Sequence, residues 1–517
     1  TKAPTQEFEG AVRVGYRNQD SYLDTAAVVS GALVEDVLAF RLSTQYVDGE
    51  TFSNPPVYET NPTDRELNKL NTSSTRAKLL YTPSEDLAVQ LTYSTYSEEG
   101  NSGRKYFLAD EPFDYEPLYQ RIMDTESDTT QINVDYKIND DLSLDVLVAY
   151  MDYKWGFEAY EPLESAESDV SMDESNITVD SKLNFGLSND FYSGFIGLAY
   201  FDRDQDFESV GATNYYGDDS SKSTAVYGET SFNLSRELTL TAGLRIEREE
   251  QLRNFNMAFR GDMLVEQLDN SHTLRLPKLA IQYDISDETT LFASARRGYN
   301  AGGGALDFTA EDYYYYDEET VNTYEIGSRS VLNNGDMNIS ANVFYNNFNG
   351  YQALSSARKI TNIEDAHSYG LEVEAYSMLG DQWQLHGGFG LLKTKIDESS
   401  AFPDAVGNDL NSAPELTASL GLSHWFTDSL KVNLSANYVD EFYGDLTNTE
   451  ERVAGDYTIT RLSMTYDTEQ WLISAFINNA LDEEAYTSQE PVSGRYPQGY
   501  VAVVNPQTIG ASVTYRF

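Results

Sequence analysis

The chain has 517 residues, with 35 Lys and Arg against 84 Asp and Glu, for a formal net charge of −49. A chain this acidic repels polyanions, which excludes nucleic acid as a partner, and the absence of cysteine excludes disulfides, thiolate metal sites and a cysteine nucleophile. Hydrophobic residues make up 40%, and no stretch approaches the roughly 18 consecutive apolar residues of a membrane helix, so any crossing of a membrane must be made by strands, in which only every second residue meets lipid.

In chain order, Thr1-Lys2-Ala3-Pro4-Thr5 has no apolar core and is not a signal peptide. Leu87, Val89, Leu91 and Tyr93 then alternate with Ala88, Gln90, Thr92 and Ser94. The same period of two recurs in 416–423, in 430–438 and in the terminal Thr508–Phe517, where Ile509, Ala511, Val513, Tyr515 and Phe517 share one face. A period of two means β-strand. A strand that is ordered to the last residue suggests a closed sheet.

The punctuation between strands has its own rhythm. Tight turns rich in Asn, Asp, Gly and Ser fall at 34–36, 82–86, 139–141, 188–190, 286–288, 333–336, 380–382, 427–429 and 467–470. Longer segments lie between them, at 49–73, 98–127, 158–172, 205–222, 254–270, 300–318, 350–364, 395–412, 444–455 and 485–499. Alternation alone does not separate a soluble sandwich from a membrane barrel. Short turns on one rim and long loops on the other do, and they predict an all-β transmembrane antiparallel barrel of about 22 strands with short periplasmic turns and long extracellular loops. The 38 tyrosines suit aromatic girdles at the two membrane interfaces.

Several segments, taken together and in order, resemble the TonB-dependent outer-membrane receptors. They are Phe8-Glu9-Gly10, Val29–Asp36 with Leu38–Leu42, Arg297-Gly298-Tyr299-Asn300-Ala301-Gly302-Gly303, Glu319-Thr320 with Tyr324–Gly327, Gly370–Glu374, Asn411 with Pro414, Asn479–Asp482 with Tyr486, and Tyr515-Arg516-Phe517. The resemblance implies that residues 1–517 are the barrel domain, with the N-terminal plug and its TonB-binding box missing from this chain. It implies a monomer in the bacterial outer membrane, contacting lipid and lipopolysaccharide, coupled to the TonB complex through that plug. It also implies an importer and not an enzyme, with a ferric siderophore as the first expectation for the ligand. A carbohydrate or another scarce nutrient is the alternative, and a passive porin is the alternative of a different class. Tyr515 and Phe517 are read as the outer-membrane assembly signal.

Within that frame, Gly302-Gly303-Gly304 lacks the strand, helix and lysine context of a phosphate cradle and reads as a release of strand geometry where the wall becomes a loop. Tyr313-Tyr314-Tyr315-Tyr316 fits a lipid-interface girdle or a vestibule platform that stacks on a ligand, and the girdle is the blander reading. Tyr215-Tyr216, Tyr115, Tyr119, Trp155 and Phe157 share that ambiguity. Of the basic pairs Arg104-Lys105, Arg296-Arg297 and Arg358-Lys359, one member of Arg296-Arg297 must face the lumen, to grip an anionic ligand or to pair with lumenal carboxylates. The expected ligand contacts are therefore Tyr313 to Tyr316 and Arg296 or Arg297, followed by Tyr115, Trp155 and Tyr216. Acids cluster without basic neighbours at Glu158, Glu161, Glu164, Glu167, Asp169, Asp173 and Glu174, and at Asp307, Glu311, Asp312, Asp317, Glu318 and Glu319. They read as a solvated surface, one bridged to lipopolysaccharide by divalent ions, or calcium ligands without EF-hand spacing. No other cofactor is expected, and the four scattered histidines, His272, His367, His386 and His424, make no metal signature. His424 beside Trp425 reads as an interfacial pair near a periplasmic turn.

Overall fold

The structure, a computed structural model, describes residues 2–19, 21–54, 66–101, 106–118, 120–160, 168–211, 214–259, 262–307, 312–354, 359–493 and 497–517. Twenty-two strands form one antiparallel sheet. It closes where the first wall strand, Glu9–Arg17, pairs with the last, Thr508–Arg516, from Ala11↔Arg516 to Arg17↔Gly510. Phe517 finishes the seam: its N–H donates to the Gly10 carbonyl at 2.9 Å, and the Gly10 N–H donates back at 2.8 Å. The order at the C-terminus expected from the alternation is thus a closure contact. In lipid, every wall amide needs a partner inside the protein, and closure supplies one for both end strands.

The alternation sets the two faces. Val12, Val14, Leu42, Leu91, Ile196, Leu198, Ile326 and Leu434 are exposed on the outside, where bilayer hydrocarbon takes the place of water. The opposite positions carry polar side chains that pair from strand to strand, Arg13 with Asp24, Arg296 with Glu325 at 3.3 Å and Asn184 donating to Asp145 at 2.7 Å between neighbours, and Lys278 with Glu229 at 2.7 Å across the strand that separates them. Several aromatic residues also point inward over a glycine on the neighbouring strand. Tyr227 stands opposite Gly197, Phe292 opposite Gly327, Phe344 opposite Gly370, His386 opposite Gly421 and Phe476 opposite Gly510. A Cβ on Gly510 would lie 2.4 Å from the Phe476 ring, and one on Gly197 2.3 Å from Tyr227. The ring lies flat over the bare backbone, which hides its apolar face from the watery lumen.

The tight turns lie on one rim and Tyr313–Tyr316 on the other, as the alternating strand directions require. A further inner-rim turn, Leu234–Glu237, carries no Asn, Asp or Gly, which is why turn chemistry did not mark it. The expected long loops at 158–172, 205–222 and 254–270 are corrected: most of their residues continue the strands Leu142–Tyr160, Ser168–Phe185, Tyr192–Val210, Asn214–Asn233, Leu238–Phe259 and Asp262–Ser286. The longest has 25 residues, about 80 Å along the strand, well beyond the roughly 30 Å of hydrocarbon. On the other side of the barrel, Trp471–Asn478 has 8 residues and Leu430–Val439 has 10. The wall is tall on one side and low on the other.

The glycine floors predict a coupled pair. Gly510→Ala should cost about 1–3 kcal/mol of folding stability by overpacking against Phe476, and much less in a Phe476→Ala background. Urea titration of protein refolded in lipid vesicles measures both; equal costs in the two backgrounds would refute the stacking.

Candidate functional site

The extracellular mouth is roofed from two sides. The first roof grows from the loop after Asn300, where Gly303–Asp307 and Asp312–Tyr316 form an antiparallel hairpin separate from the wall sheet. Its glycines explain its shape. A Cβ on Gly303 would meet the Tyr316 hydroxyl at 2.6 Å, and one on Gly304 would meet the Tyr313 hydroxyl at 2.3 Å. The glycine run therefore serves the hairpin itself, with the two tyrosines lying across it, and is not simply a release from the wall.

The hairpin leans on the lumenal face of the tall wall. Tyr313 stacks on Phe255 with centroids 4.5 Å apart, and Phe255 meets Tyr215 at 4.7 Å, which meets Phe207 at 5.0 Å. Tyr315 stands edge-on to Tyr313 at 5.4 Å. Arg253 donates to the Gly304 carbonyl at 3.2 Å and pairs with Asp219 at 2.7 Å, and Asp219 also holds Arg203 at 3.3 Å. On the far side the Ile360 N–H donates to the Tyr314 hydroxyl at 2.7 Å, and Lys359 sits over the Tyr314 ring and pairs with Asp307 at 3.0 Å. Burial raises the phenol pKa of Tyr313, against the lowering pull of Arg253, and burial raises that of Tyr314 and Tyr315 as well. These phenols stay neutral at physiological pH and act as donors and stacking faces.

The second roof is a three-stranded sheet of Phe107–Leu108, Tyr486–Glu490 and Tyr500–Val503, which joins two loops that are distant in sequence. Aromatic packing fixes it: Phe52, Phe107 and Tyr115 contact one another at 5.4 to 5.8 Å, Tyr106 meets Tyr500 at 4.7 Å, and Phe113 stacks on Tyr486 at 6.0 Å. Neighbouring loops are tied down by Arg452, which pairs with Asp445 at 2.8 Å and with Glu490 at 2.6 Å. Burial pushes the Asp445 carboxyl up, but hydrogen bonds from Thr449, Thr447 and Arg452 outweigh it and hold the group below the usual carboxylate range.

The expected contact residues are thus divided. Tyr313 to Tyr316 lie together on the hairpin, outside the wall sheet. Arg296 faces the lumen and is engaged by Glu325, while Arg297 donates to Thr320 at 3.2 Å. Tyr115 belongs to the second roof. Trp155 packs edge-on against Phe157 at 5.4 Å on the lumenal side, where Arg121 covers the Phe157 ring. Tyr216 points outward, with its hydroxyl 3.4 Å from Asp206, and it is Tyr215 that faces in. Tyr215, Arg203, Asp219, Arg253 and Phe255 are site residues that the sequence reading missed. Counting alternate positions down from Tyr227 would have found Tyr215 and Asp219, had the segment been taken as strand. The Arg104-Lys105 pair, Arg358, Tyr119, Glu161, Glu164, Glu167 and Glu311 lie outside the described residues. Among the described residues no three His, Asp or Glu side chains converge as a metal-binding group. His424 stacks on Trp383 at 4.0 Å beside an inner-rim turn.

A family model described as "TonB dependent receptor-like, beta-barrel" matches residues 74–480. The ferric-pyoverdine BN7/BN8 receptor of Pseudomonas putida is 24% identical over 297 residues, which cover 57% of this chain and 34% of that protein. The probable TonB-dependent siderophore receptor PiuA of Acinetobacter baumannii is 22% identical over 244 residues, 44% of this chain and 33% of that protein. The matched part therefore spans about a third of the length of these relatives. Among solved structures, the ferric yersiniabactin uptake receptor FyuA of Yersinia pestis superposes with a TM-score of 0.89 at 16% identity, covering 100% of this chain and 81% of that one. PiuA of Acinetobacter baumannii superposes at 0.81 with 14% identity, covering 100% and 82%. At these identities the superpositions show a shared fold.

The first roof rests on few contacts, so single changes should release it. Tyr313→Ala or Arg253→Ala should speed proteolytic cutting within 302–317 by about tenfold, since each removes an anchor worth roughly 1–3 kcal/mol. Cutting as slow as in the parent protein would mean that the hairpin is held by something else.

Proposed function

Because the chain belongs to the TonB-dependent receptor family and has that family's outer-membrane barrel, we propose that it imports a ferric siderophore, with energy coupled from TonB through a plug domain seated in the polar lumen. The observation that carries this is the roofed mouth. A passive pore needs an open vestibule, whereas here a hairpin bearing neutral tyrosines is held by side-chain contacts over lumen-facing arginines. Aromatic faces and a small set of polar groups are the usual materials of a small-ligand site. Two of the relatives are siderophore receptors by name, which supports the choice of ligand class.

The ligand would lie between the first roof and the wall strand Leu238–Phe259, meeting Tyr313, Phe255 and Arg253, and the hairpin would lift for it to pass. The acidic balance of the chain, −49 overall, favours a neutral or cationic ferric complex over a strongly anionic ferric catecholate.

Uptake of radioactive iron by a deletion strain carrying this receptor gene tests the reading. A gain with a hydroxamate or mixed-ligand ferric complex, lost on removal of TonB and reduced about tenfold by Tyr313→Ser with Arg253→Ala, is the expected result. Growth restored on a single sugar instead of iron would replace the siderophore with a carbohydrate, and uptake that persists without TonB would replace the transporter with a porin.

A further inference from the structure

One stretch of the tall wall has a neighbour on one side only. Asp262–Ser286 pairs with Leu238–Phe259 along its whole length, from Phe259↔Asp262 to Leu238↔Tyr283. On its other side it pairs with Thr289–Asn300 only from Lys278↔Arg296 onward. Residues 262–277 therefore form an open sheet edge, and among the described residues no backbone hydrogen bond is made on that side.

The direction of the free groups follows from one contact. The Asp284 N–H donates to the Glu237 carbonyl at 2.8 Å, so even-numbered residues of this strand bond the inner neighbour. The register with that neighbour runs unbroken, so the N–H and C=O groups of odd-numbered residues from Met263 to Arg275 point away from it. Pro277 occupies the next odd position and has no N–H to offer, which accounts for the ladder lapsing there.

Another edge in the same wall shows what closure looks like. Trp383–Glu398 loses its strand partner after Leu391↔Leu416. There the loop 399–415 takes over: the Leu392 N–H donates to Glu415 at 2.9 Å, the Ile396 N–H to Asn408 at 2.9 Å, and the Gly407 N–H to Ile396 at 2.8 Å. Among the described residues the 262–277 edge has no such backbone cover. The hairpin of Gly303–Asp307 and Asp312–Tyr316 makes its strand pairing within itself and meets this strand through side chains, Tyr315 lying near Glu266, without a backbone hydrogen bond to it among the described residues. Unpaired edges invite another strand, and this one carries Met263 and Val265, each 64% exposed.

We propose that the open edge at residues 262–277 is a strand-addition site for an extended, cationic peptide segment presented from outside the cell. Backbone groups in a row are complemented by another backbone in a row. The charge is set by Glu266 and Asp269 on the edge strand, by Glu249, opposite His272, and by Glu318, 3.6 Å from His272. His272 shares the lumenal face with Glu249 and Glu318, and Arg275 stands on the opposite face of the strand, with Asp269. The proposal does not depend on which nutrient the barrel imports.

The test uses the full chain in lipid nanodiscs and a fluorescent decapeptide of alternating Lys and Val, with an alternating Glu and Val decapeptide as the charge control. Saturable binding of the first and none of the second is expected. Ser271→Pro and Thr273→Pro each remove an outward N–H while leaving the inner ladder intact, and each should weaken binding by about tenfold. Gln267→Lys keeps the backbone and should weaken it through charge, so the result does not hang on a proline variant folding. Absence of saturable binding, or undiminished binding by the proline and lysine variants, would overturn the proposal. A wild-type dimer that Thr273→Pro turns into a monomer would also overturn it, by giving the edge to a second copy of this chain.

Discussion

Everything in this molecule follows from the demand that no backbone amide be left unpaired in hydrocarbon. A closed antiparallel sheet meets that demand, and the seam between Glu9–Arg17 and Thr508–Arg516, finished by the Gly10 and Phe517 bonds, is where it is met last. Above the bilayer water can satisfy the backbone, so the constraint relaxes and the structure diversifies. The wall rises on one side in strands of 18 to 25 residues and stops low on the other. Loops from the low side roof the mouth, while the tall side offers a lumenal surface to lean on.

The relaxation also explains which parts were legible from sequence. Strands that cross lipid announce themselves, because Leu87–Tyr93 or Leu430–Tyr438 must alternate apolar with polar. The same strands continued into water obey no such rule. Residues 205–210 and 214–222, with Asp206, Asp218 and Asp219 on both faces, resemble a loop and are a strand ladder. That error moved the inward tyrosine by one position, since Tyr215 and Tyr216 exchange roles once the strand register is fixed. The tyrosine run was visible as an oddity, but its partners were not. Phe255 and Arg253 become site residues only through a register more than 50 positions away from Tyr313.

Charge follows the same division. Lumenal arginines such as Arg13, Arg203 and Arg253 are matched by neighbouring carboxylates, while the loops around the mouth carry acids such as Asp317 and Glu318. A ligand reaching the mouth therefore crosses a negative field before it meets the neutral phenols of the hairpin and the guanidinium groups beneath it. Composition revealed the excess, and only the strand register revealed which lumenal acids meet an arginine.

Since the chain has no cysteine, the hairpin can be locked cleanly. Asp307 and Lys359, whose side chains meet at 3.0 Å, can each be replaced by Cys and joined by a short thiol-reactive linker that a reductant cleaves. Iron uptake by cells carrying the linked protein should stop and should recover on cleavage, because the hairpin must lift for a ligand to enter. Uptake that continues at full rate with the link intact would contradict the central role given to that roof.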